Sequence, residues 1–83
     1  MKTDNSLYVF RDDFEYDRMS GFKTYEEAND YREKCQRCWI NHVDYVFLIT
    51  RDATGRIIKE TNLTKATKEE RIKLLEEAGI PLK

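Results

Sequence analysis

Apolar and polar positions alternate with two different periods along the chain, and the period changes mark its elements. "SLYVFR" at 6–11 has period two and predicts a short strand, with Leu7 and Val9 on one side and Tyr8 and Phe10 on the other. "DDFEYDRMSGF" at 12–22 mixes acids with aromatics and ends on Ser20 and Gly21, a turn signal, so it reads as an acidic loop. From Thr24 the period becomes helical. Thr24 and Glu27 form a capping box, acids fill the first turn, and Lys34 and Arg37 lie near the end. Ala28, Tyr31, Cys35, Cys38 and Trp39 make the apolar stripe of this helix.

The second half reads as a hairpin and a helix. Tyr45 to Thr50 is apolar on both faces, as expected of a central strand covered on two sides, with a partner as one source of that cover. Asp52 to Gly55 is a turn, and Arg56 to Thr61 returns with charges that place it at an edge. Thr67 and Glu70 form a second capping box, and Gly79 followed by Pro81 is a stop signal. Ile72 and Leu75, joined by Leu74 and Ala78, form its buried stripe, with Ile80 and Leu82 folding back.

The expected fold is a single small α+β domain over 1–83, with frayed ends at 1–5 and 82–83. Its element order is β-α-β-β-α. A strand–helix–strand connection within one sheet makes those strands parallel. The simplest arrangement is then a three-stranded mixed sheet, in the order 1-2-3, packed by two helices.

Composition narrows the function classes. The net charge is −1 on 83 residues, which gives no support to phosphate-backbone binding. Residues 1–33 carry five Lys/Arg against nine Asp/Glu, and residues 34–83 carry ten against seven. That split favours steering toward a charged partner or self-association. The first apolar run, "LYVF", is too short for an export signal and no segment suits a bilayer span, so the expected location is the cytoplasm with free thiols. One histidine, with no G-x-S-x-G, P-loop or G-x-G-x-x-G, leaves no usual route to an activated nucleophile or bound nucleotide. No enzyme activity and no cofactor is expected.

Three sets of residues are candidate chemistry. Cys35, Cys38 and His42 have metal-ligating types, yet a structural zinc site needs a fourth ligand that only a carboxylate such as Asp44 could supply. The C-x-x-C pair sits at a helix C-terminus, where the dipole opposes a thiolate, so both cysteines read better as core. Asp12, Asp13, Phe14, Glu15, Tyr16 and Asp17 form an acidic-aromatic segment that could engage a basic protein partner. Arg51, Arg56 and Lys59 are strand cations that could hold single-stranded nucleic acid. The leading expectation is a non-enzymatic protein-interaction or regulatory domain, acting as a homodimer or as a phage-type inhibitor of another protein. A nucleic-acid-associated module comes second and a Cys/His metal protein third.

Overall fold

The computed structural model describes residues 3–11, 14–38, 41 and 43–83, and for 14–19 the course of the backbone only. Its elements are β1 (Asp4–Arg11), β2 (Phe14–Phe22), α1 (Tyr25–Cys38), β3 (Asp44–Arg51), β4 (Ile57–Asn62) and α2 (Lys68–Ala78). The four strands form one sheet in the order β2-β1-β3-β4, and every neighbouring pair is antiparallel.

The fold is therefore α+β with two helices, but the three-stranded mixed sheet is corrected to four antiparallel strands. The segment read as an acidic loop is β2, which pairs with β1. Because β2 reverses the chain before α1 begins, β1 and β3 run antiparallel as direct neighbours. The parallel pair linked through a helix is β2 and β3, with β1 between them. β2 is an edge strand, and edge strands tolerate charges because one side of their ladder faces water. Register shifts lie between Leu7/Val9 and between Val9/Arg11, and Gly21 takes φ 93° within the first of them. A glycine there avoids the steric cost of a side chain at positive φ.

Both helices pack on one face of the sheet. Leu7 and Val9 of β1 and Val46 and Leu48 of β3 meet Tyr25 and Ala28 of α1, Leu75 of α2 and Leu63, all buried. Phe22, Tyr31, Leu74, Ala78 and Ile80 close the margins. Thr24 caps α1 by accepting from Glu27 N, and the Glu27 carboxylate reaches back to Lys23 N at 3.1 Å. Thr67 caps α2 in the same way, and Gly79 ends it at φ 73°. After that glycine the chain turns back on α1. Pro81 and Leu82 carbonyls accept from Tyr25 N and Glu26 N at 3.0 and 2.8 Å, satisfying donors that a helix N-terminus leaves orphaned. Leu82 itself stays exposed.

Of the stripe expected for α1, Ala28 is buried and Tyr31 and Cys35 are half-buried, while Cys38 is exposed. The core reading of Cys38 is thus corrected. At about 100° per residue, Cys35 lies roughly 20° from Ala28 around the helix, but Cys38 lies roughly 80° away. Trp39 and His42 lie outside the described residues.

Candidate functional site

The strands that bury Leu7, Val9, Val46 and Leu48 against the helices must present their alternate residues on the opposite face. Those residues are mostly aromatic. Tyr8 stands opposite Phe47, and Phe10 opposite Tyr45, on the two central strands. The Phe10 and Phe47 rings meet edge to face with centroids 4.9 Å apart, Tyr45 meets Phe47 the same way at 6.4 Å, and Tyr8 stacks on Phe10 at 6.0 Å. All four rings are half-buried. Next to them Ile49, opposite Ser6, is 1% exposed although it belongs to this face and not to the helix-side core. Neither helix contributes a residue to this ring cluster.

A cation stands at each end of the ring cluster. At one end the Arg51 guanidinium lies 5.9 Å from the Tyr8 ring centroid and donates to Tyr8 Oη at 3.0 Å and to the Gly55 carbonyl at 2.9 Å. At the other, Lys65 Nζ lies 5.2 Å from the Tyr45 ring centroid. The register places two anions on the same face: Asp4, opposite Arg51, and Glu60, opposite Ile49.

The hydrogen bond from Arg51 favours the Tyr8 phenolate and holds its pKa below the ordinary tyrosine value, against a smaller opposing effect of burial. Because the folded value is depressed, Tyr8 adds stability only at alkaline pH, and that increment disappears as the pH falls through the folded value. Tyr31 behaves oppositely: burial, then the Cys35 thiol beside it, push its phenol up, so its contribution is present below the ordinary tyrosine value and lost above it. An Arg51→Met chain is expected to show one of its phenols titrating at higher pH than in the parent, read by absorbance at the phenolate band. An unchanged titration would mean that Arg51 does not hold Tyr8.

The comparisons with known proteins are negative. No family model, curated protein or solved structure matches the chain.

The residues expected to carry chemistry are dispersed. Asp12 and Asp13 lie outside the described residues. Phe14, Glu15, Tyr16 and Asp17 fall on β2, the edge strand beside β1. Arg51 belongs to the aromatic face, Arg56 is exposed near the turn, and Lys59 lines a shallow recess against α2 with Asn5 and Glu77. The three cations thus form no single patch. Among the described residues no cluster of Cys, His, Asp and Glu could hold a metal ion.

One polar group is buried apart from this face. Asp44 is 2% exposed and pairs with Arg11 at 3.6 Å, while its backbone N–H donates to Gln36 Oε1 at 3.0 Å. Its Oδ2 has no hydrogen-bond partner among the described residues. The Asp44–Arg11 pair closes the core at the end of the sheet where β3 begins.

The aromatic face was missed as a set, although a signal for it exists. Tyr8 and Phe10 share one side of the first strand, and Tyr45 to Thr50 is apolar on both sides. Two central strands with a second apolar face leave one face for the helices and one for something else.

Proposed function

We propose that this chain is a non-enzymatic binding module that works in the cytoplasm by laying the aromatic face of its sheet against another protein. The observation that carries the reading is the set of four half-buried rings, Tyr8, Phe10, Tyr45 and Phe47, on the face the helices leave open. Aromatic residues anchor protein interfaces because they bury much area for few frozen torsions. The face is rimmed by polar groups, as such interfaces are. No described helix is long and apolar enough to cross a membrane.

Single-stranded nucleic acid is the second reading, favoured by the same rings with a cation at each end. A phosphate track needs an excess of cations, however. The face carries Asp4 and Glu60 beside Arg51 and Lys65.

A photo-crosslinking residue placed at position 45 and, separately, at exposed position 73 of α2 tests the proposal in cells. Protein adducts that survive nuclease and form from position 45 alone are expected. Nuclease-sensitive adducts would transfer the face to nucleic acid. An absence of adducts at 45, or the same adducts from both positions, would overturn the binding face.

A further inference from the structure

Resting on that reading of the face, we infer that its occupant is a second copy of this chain, packed face to face about a two-fold axis that runs along the strands between β1 and β3. Such an axis lays β1 of one copy over β3 of the other, so each residue meets the residue that is its own cross-strand neighbour. The register then dictates the contacts. Arg51 meets Asp4 of the second copy, Phe47 meets Tyr8 and Tyr45 meets Phe10, each pairing occurring twice.

Three properties of the face suit this arrangement. Its charges are self-complementary. At one end, Arg51 uses two of its five donors within the chain, leaving others for the carboxylate of Asp4, which is exposed. At the other end, Lys65, which follows β4, comes over the start of the copy's β2. An axis across the strands would instead set Arg51 over the end that carries Lys65. The rings are self-complementary too, since Phe47 lies over Tyr8 and Tyr45 over Phe10.

Area is the third property. Strands of 8 residues at ~3.3 Å per residue, four abreast at ~4.8 Å, give a flat footprint of roughly 500 Å². A textured surface of that footprint approaches the ~800 Å² per partner of a standard stable interface. Two twisted sheets stack with strands about 30° apart, which this axis gives when inclined about 15° to the strands.

The two-fold makes a charge-swap test possible. Asp4→Arg and Arg51→Asp chains are prepared separately and mixed, and the particle mass is followed by sedimentation against concentration. The parent chain is expected as a dimer of the 10.0 kDa subunit. Each single variant sets like charges against each other twice and should dimerise about tenfold more weakly. In the mixture both ion pairs return, Arg51 on Asp4 as in the parent and the two substituted side chains on each other with reversed polarity, so heterodimers should recover parental affinity. Repulsion within one chain cannot be relieved by mixing. Circular dichroism checks that the variants fold, and Tyr45→Lys, on a half-buried ring, gives a second weakened chain independent of the swap. A parent that stays monomeric at ~1 mM, variants that dimerise like the parent, or a mixture that recovers nothing would each overturn the dimer. A monomeric parent that still crosslinks a different protein from position 45 would defeat this inference alone, leaving the binding face in place. Nuclease-sensitive adducts from that position would defeat both.

Discussion

A Leu75→Ala chain is expected to lose about 3 kcal/mol of stability, a large part of what an 83-residue domain has, which is roughly 4–12 kcal/mol. Leu75 is 1% exposed and is the fully buried side chain of α2. Ile72, Leu74 and Ala78 are only half-buried, so they cannot compensate for its loss. The damage should also appear at a distance. α2 leads through Gly79 to the tail whose carbonyls satisfy Tyr25 N and Glu26 N. When α2 loosens, those donors return to water. Urea denaturation gives the stability loss, and hydrogen exchange should show the Tyr25 and Glu26 amides losing protection before those of β1 and β3. Unchanged protection there would mean that the tail is held independently of α2.

The second large effect is expected at Asp44. An Asp44→Ala chain should lose about 2–3 kcal/mol, because a carboxylate only 2% exposed, paired with a mostly buried Arg11, is removed. The lower end of the usual cost for a broken buried pair applies, since Arg11 keeps some access to water and the pair is loose at 3.6 Å. The pair itself contributes little net stability. Replacing both partners, Arg11→Met with Asp44→Leu, should therefore recover most of the loss by filling the site with apolar volume. A double variant as unstable as the single one would show that Asp44 acts through something other than its charge partner. Its contact with Gln36, made through the backbone N–H, survives either substitution.

Much of the fold was legible wherever one local rule decides the outcome. Thr24 and Thr67 announced the helix starts, Gly79 the second stop, and Asp52 to Gly55 the hairpin, because caps and turns depend on neighbours in sequence. β2 was illegible for a physical reason. Two register shifts interrupt its pairing with β1, so alternation, the one signal a strand gives, is broken within 14–22. Its acids then pointed to a solvated loop. Losing that strand inverted the direction of everything after it, which is why a parallel pair was expected where β1 and β3 are antiparallel. The same omission drew attention to the acids at 12–17. The face proposed to bind consists of Tyr8, Phe10, Tyr45 and Phe47, residues that meet only when the β1–β3 ladder is known. Cys38 illustrates the limit of stripes: spacing by threes and fours drifts round a helix, and its last member can leave the buried side.

The strand order also has a kinetic meaning. β1 and β2 form one local antiparallel pair and β3 and β4 another, each followed in the chain by a helix. Hairpins close in about 1–10 μs, so neither unit has far to search by itself. The β1–β3 ladder joins them across more than thirty intervening residues, with Arg11 on Asp44 as its nearest pair in sequence. Closing that long loop must precede its reward, which makes docking of the two units the slow step. Substitutions at Leu7 and Val46, on facing sides of the joint, should then act mainly on the folding rate. Those in the α2 cap should act mainly on the rate of unfolding.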